Sequence, residues 1–186
     1  MVGAYLSERF RARIFVPLAL VIAAAASGGV LTMTRFGVDA GFALLLLAQF
    51  RSWDDLADRG RDAIAHPERV LTRASSIAPI VAFSGALAIL NICLAVQRDA
   101  SGIAVTALVT LIGLLGAWYP LRTLRTAAGD VLLLSKYPAM VVVVAGARVL
   151  NTPVQIVCAA LVLLLAVCLY EVWHDPASPL SVGGPR

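Results

Sequence analysis

Six long apolar blocks, each bounded by charged or turn-forming residues, dominate this chain: 14–32, 38–52, 77–96, 103–119, 131–150 and 154–170. Most approach the ~20 residues that an α-helix needs to span ~30 Å of hydrocarbon. A helix on the surface of a soluble domain carries its apolar residues on one stripe and polar residues opposite, whereas these blocks leave no polar face. No ten-residue segment alternates apolar and polar side chains, so a transmembrane barrel is excluded as well. Composition agrees: 60% of the 186 residues are hydrophobic and 14% charged, against ~45–50% and ~25% in soluble domains. The expected fold is an all-α polytopic membrane bundle of about six transmembrane helices over 14–175. A basic segment, 1–13, precedes it, and a short disordered tail, 176–186, completes the chain.

The second block is too short to cross alone and runs into charged residues. Its helix is expected to continue through Arg51 to Arg61 and lift its polar end out of the lipid. Proline and glycine inside the blocks are compatible with membrane helices, and small residues let neighbouring helices approach closely. Pro138 is expected to kink the fifth span near Lys136.

With the N-terminus cytoplasmic, the inner segments hold Arg9, Arg11, Arg13, Arg51, Arg59, Arg61, Arg69, Arg73, Arg122, Arg125, Lys136 and Arg186, which is 12 of the 15 basic residues. The outer segments hold only Arg35, Arg98 and Arg148. Positive residues favour the inner face, so both termini are expected on the cytoplasmic side of the plasma membrane. The same asymmetry accounts for the net charge of +4, with no nucleic-acid partner implied. Cys93, Cys158 and Cys168 lie within spans without metal-ligand spacing and read as small apolar fillers. His66 and His174 lack the accompanying ligands of a zinc site. Asn91, in mid-span, reads as an interhelical hydrogen bond.

The chemistry-bearing stretch is FRSWDDLADRGRDAIAHPERVL, residues 50–71. On a helix, Asp54, Asp58 and Asp62 fall at i, i+4 and i+8, and Asp55 joins Asp58 and Asp62 at i, i+3 and i+7. All four project toward one face, where their mutual repulsion is weakly screened beside a membrane. Positive charge is expected there. Either Arg51, Arg59 and Arg61 of the same helix supply it, or a divalent cation does. Mg²⁺ takes oxygen ligands, commonly one or two carboxylates with substrate phosphates completing its shell.

Asp54-Asp55-Leu56-Ala57-Asp58-Arg59-Gly60-Arg61-Asp62 resembles the first aspartate-rich motif of the UbiA-type intramembrane prenyltransferases, N/D-D-x-x-D-x-x-x-D, which sits at the cytoplasmic end of their second helix. The resemblance implies Mg²⁺ as cofactor, with Asp55, Asp58 and Asp62 on ligand positions and Asp54 where the family most often has Asn. A second motif is expected after the sixth helix, where Glu171 and Asp175 stand four residues apart with Glu replacing the commoner Asp. The Tyr119-Pro120-Leu121-Arg122 segment with Arg125 is similar to a family loop implicated in diphosphate binding. Lys136 and Arg69 complete the set of diphosphate-binding residues that the resemblance implies.

The activity implied by the resemblance is transfer of a prenyl group from a prenyl diphosphate to an aromatic or lipophilic acceptor within the bilayer. The family has about nine helices, so the resemblance covers its first two-thirds. A compact enzyme closed by self-association, a relative that keeps the motif but acts differently, and a bundle completed by a second subunit all remain open. The rival reading is a non-catalytic membrane protein, a small transporter or assembly partner, whose aspartates form a structural or cation-binding helix cap. Two further enzyme classes fit less well. Hydropathy excludes the soluble isoprenoid synthases, and the D-G-x-x-A-R opening of membrane phosphatidyl-alcohol transferases is absent.

Overall fold

The computed structural model describes residues 1–29, 32–122, 125–175 and 178–181. The expected tail lies largely outside the described residues, as does Arg186. Among those described, all regular structure is helical: α1 (Val2–Arg9), α2 (Ala12–Ala26), α3 (Met33–Ala65), α4 (Val70–Arg73), α5 (Ala78–Arg98), α6 (Ile103–Leu121), α7 (Ala127–Leu134), α8 (Lys136–Ala145), α9 (Arg148–Asn151) and α10 (Pro153–His174). Five segments are long and apolar enough to cross a membrane: α3, α5, α6, the α7–α8 pair and α10.

The first apolar block gives a helix shorter than expected, yet one that runs the length of the bundle: Arg9, just before it, meets Asp55, and Gly28, just after it, lies against Thr152 ahead of α10. The block forms a helix of 15 residues, ~22 Å at 1.5 Å per residue. The helix ends where Gly28 and Gly29 take positive φ of 62° and 90°, a backbone change that hydropathy does not register. The second block behaves as expected. Its helix, α3, runs 33 residues, ~50 Å, long enough to carry the acidic stretch beyond a ~30 Å hydrocarbon layer.

The fifth block is divided. Pro138 has no N–H for the carbonyl of Leu134, and α7 stops at Leu134 while α8 begins at Lys136. The break sets Lys136 at the head of a new helix, where its side chain leaves the apolar run. Gly146, at φ 55°, ends α8. A Cβ there would stand 3.0 Å from Cγ of Asp99, so only glycine lets the two segments approach this closely.

The bundle packs around α3, which lies against α2 on one side and α5 on another, with α8 between α2, α6 and α10. Phe15, Ile22, Leu46, Phe50, Leu108, Leu115, Met140 and Ile156 form its centre. Ala19, Ala23 and Ala26 of α2 are fully buried. Such small side chains let helix backbones draw together, which matters because lipid offers no hydrophobic force to drive helices together. The outward surface is apolar too. On α10, Val162, Leu165 and Leu169 are each more than 60% exposed, as expected for a surface facing hydrocarbon.

Asn91 does what its mid-span position suggests. Its Nδ2 donates to Oε1 of Gln49 at 2.8 Å and to the carbonyl of Leu45 at 3.2 Å, joining α5 to α3.

Candidate functional site

The polar C-terminal stretch of α3 forms one wall of a charged cavity of about 430 Å³ at that end of the bundle. Asp54, Asp55, Asp58 and Asp62 line it together, as their helical spacing predicts. The opposite walls come from α1, the residue ahead of α4, the segment after α6, α7, α8 and the end of α10. These bring Arg9, Arg69, Arg122, Arg125, Lys136 and Glu171 to the same space.

The cations that answer the acidic ladder come mostly from other helices. Asp54 accepts from the ammonium of Lys136 and from the hydroxyl of Tyr119. Asp58 pairs with Arg122 at 3.2 Å and with Arg61 at 3.2 Å, and Asp62 pairs with Arg69 at 2.5 Å. Arg125 spans three acids: Asp130 at 2.9 Å, Glu171 at 2.7 Å and Asp175 at 2.5 Å. Each of the four bases that the sequence marks for diphosphate is therefore paired with at least one of the acids it marks for metal. Arg59, expected among the neutralising residues, instead donates from Nε to the carbonyl of Leu71 at 3.2 Å.

Asp55 is held differently from its neighbours. It is 4% exposed and receives the Tyr5 hydroxyl at 2.8 Å and Arg9 at 3.0 and 2.5 Å, with Arg51 at 3.1 Å. Burial and the adjacent Asp55 charge push the Tyr5 phenol well above its ordinary pKa, so it stays a neutral donor. Burial opposes the charge on Arg9, but the hydrogen bond and the charge of Asp55 outweigh it and raise its pKa. The Arg125 guanidinium is balanced in the same way, with Asp175 and Asp130 outweighing burial. Replacing Tyr5 by Phe removes a donor to a buried carboxylate and is expected to cost about 1–3 kcal/mol. Thermal unfolding in detergent measures this, and an unchanged midpoint would show that α1 does not anchor the motif.

Three contributors were not marked by sequence reasoning. Arg9 and Tyr5 belong to a segment that reads only as a basic flank, and their contact with Asp55 depends on tertiary packing. Asp130 had a usable signal, an acid directly ahead of the apolar run 131–134, and it is 5% exposed beside Arg125.

A second cavity of about 550 Å³ adjoins the first, between α2 and α10. Phe15, Leu18, Val167 and Tyr170 give it an apolar wall, Glu8, Arg11 and His174 a polar one, and Arg9, Arg51, Leu134, Tyr137 and Glu171 line both spaces. The Nε of Arg51, on that shared boundary, is buried without a hydrogen-bond partner among the described residues. A donor left unpaired in a buried position is costly unless a ligand or water completes it.

Among the described residues, no three His, Cys, Asp or Glu side chains converge to enclose a metal ion unaided. That leaves room for the mode Mg²⁺ prefers, one or two carboxylates with the remaining ligands supplied by phosphate and water. Asp58 and Asp62, one turn apart and paired at the cavity surface, have the hard oxygen donors for it.

The fold and cavity thus define an all-helical bundle, with five segments capable of crossing a membrane and a polar, charge-matched chamber at one end. Comparison with family models, curated proteins and solved structures found no match to this chain.

Proposed function

We propose that this chain is a membrane-embedded, Mg²⁺-dependent prenyltransferase, a relative of the UbiA-type enzymes with both termini on the cytoplasmic side of the plasma membrane. The observation that carries the reading is the meeting of six carboxylates and seven Arg or Lys side chains in one cavity that adjoins a second with one apolar wall. A prenyl diphosphate has the same division, a polyanionic head on an apolar chain.

Lys136, Arg122, Arg125 and Arg69 bind the diphosphate, exchanging their carboxylate partners for phosphate oxygens. Arg51 offers its unpaired Nε at the boundary where head joins chain. Asp58 and Asp62 are the residues that would hold Mg²⁺, with Asp54, Glu171 and Asp175 nearby; when bound, the ion stabilises negative charge on the leaving diphosphate. The allylic C–O bond breaks with both electrons passing to diphosphate. The acceptor carbon supplies the electron pair of the new bond and loses a proton. The apolar wall of Phe15, Leu18, Val167 and Tyr170 holds the prenyl chain.

The structural-cap reading is favoured at one residue, Asp55, whose partners Tyr5, Arg9 and Arg51 leave it the most fully engaged of the α3 acids. The two readings separate in an assay of the protein in membranes with prenyl diphosphates and a panel of aromatic and lipid acceptors. The expected result is diphosphate release that needs both Mg²⁺ and acceptor and stops with chelator. Release at the same rate in chelator would overturn the Mg²⁺ dependence, and no release with any acceptor would favour the cap.

A further inference from the structure

The end of the bundle remote from the acidic ladder carries a second charged pocket. By helical rise, Asp39 lies ~22 Å along α3 from Asp54. Around it, Arg35, Arg98 and Arg148 line a cavity of about 180 Å³. These are the three basic residues that the topology leaves at this face, and they come from three separate parts of the chain.

Two of the three are engaged in holding the fold. Asp39, 1% exposed, accepts from Arg98 and from Arg148, the latter at 2.7 Å, tying α3 to α5 and α9. Arg148 spends its other nitrogens on the carbonyls of Val144 and Ala145, at 2.6 and 3.0 Å. Asp99, the carboxylate that lines the pocket, is committed as well. It accepts from the Ser101 amide at 3.0 Å, the Ser101 hydroxyl at 2.6 Å and the Ala104 amide at 2.8 Å. Burial alone would raise its pKa, but these hydrogen bonds lower it, so it stays charged. Arg35 has no ion pair with any described residue. With Asp39 counted behind the wall, three guanidinia against two carboxylates leave one positive charge, and that charge sits on the exposed rim of the pocket.

The surroundings of the pocket are those of a lipid surface. Within three residues of each arginine stands an exposed apolar side chain: Met33 and Val38 beside Arg35, Val96 beside Arg98 and Leu150 beside Arg148. Arg35 precedes the apolar run of α3, and Arg98 closes α5, so the pocket lies at the level where apolar helix gives way to polar loop. A soluble anion has no use for the apolar rim, whereas a phospholipid uses both.

We propose that this pocket binds the phosphate of an anionic phospholipid in the leaflet opposite the charged chamber, with Arg35 as the ligand-facing cation and Arg98 backing it. The site tethers α3, α5 and the α8–α9 turn to the lipid surface.

The test is native mass spectrometry of the full chain released from neutral detergent containing phosphatidylglycerol or phosphatidylcholine. The wild type is expected to retain phosphatidylglycerol in preference to phosphatidylcholine. Arg35→Gln should lower that retention roughly fivefold, the effect of one basic residue at a membrane surface. Arg35→Lys should restore most of it. Because Arg35 is exposed and outside the Asp39 network, thermal stability in lipid-free detergent should not change. Equal retention by wild type and Arg35→Gln would overturn the proposal, as would equal retention of the two lipids. Displacement by millimolar inorganic phosphate would overturn the assignment to lipid.

Discussion

Methionine in place of Lys136 is expected to lower stability by up to about 3–5 kcal/mol, because it leaves the half-buried Asp54 carboxylate without its cation. Lys136 is 6% exposed and Asp54 is its ion-pair partner, with Tyr119 also donating to that carboxylate. Stability alone does not reveal function, since a purely structural pair would respond identically. The compensated variant separates the two. Lys136→Met with Asp54→Asn removes both charges and leaves an amide oxygen to accept from Tyr119. Replacing a buried ion pair with a neutral pair is often close to neutral in stability, so the thermal midpoint should return toward wild type. Diphosphate release should not return, staying roughly 10²–10³-fold down for loss of a cation that meets the leaving group. A compensated variant with wild-type turnover would remove Lys136 from the diphosphate site.

The placement of Lys136 shows what could be read in advance. A charged residue interrupting an apolar run is conspicuous in sequence, and Pro138 two residues later announces the break that frees it. The acidic ladder was equally open to reading, because i, i+4 spacing is local and α3 is continuous through it. The charged residues at the ends of α6 and α10 could be marked only by resemblance, and the structure brings Arg122, Arg125 and Glu171 to the same cavity as the ladder. What sequence could not supply was pairing. Nothing local connects Arg9 to Asp55, 46 residues away, or Arg125 to Asp175, 50 residues away. Hydropathy likewise overran the first helix, since it scores Gly28 and Gly29 as tolerable while their positive φ ends α2. The Asp39 network was hidden for a related reason. Its arginines looked like exceptions to a charge rule, and only the fold brings them to a common carboxylate.

Asp58 and Asp62 offer the sharper test of the chemistry. Their side chains are 33% and 17% exposed, and only Arg61 among their partners is solvent-exposed, so their pairs are partly screened and each is weaker than the buried Asp55 network. Asp58→Asn with Asp62→Asn should therefore lower stability less than loss of the Asp55 carboxylate does. If these carboxylates hold Mg²⁺ against a diphosphate, the same double change should reduce turnover roughly 10³-fold or more, since the metal's charge stabilisation is lost. A binding readout makes the test independent of turnover. Mg²⁺ with inorganic pyrophosphate should raise the thermal midpoint of the wild type, because a ligand that binds only the folded state stabilises it by mass action. Neither component alone should match that shift, as each completes the other's coordination. The Asp58→Asn, Asp62→Asn variant should show no such shift. Asp55→Asn should behave in the opposite way. It leaves Arg9 and Arg51 facing an amide in a buried position, so it should lower the midpoint by more than the double variant does while the remaining folded protein still responds to Mg²⁺ and pyrophosphate. A double variant that keeps both turnover and the thermal shift would take Asp58 and Asp62 out of the metal site and leave the ladder as a charge-matched cap.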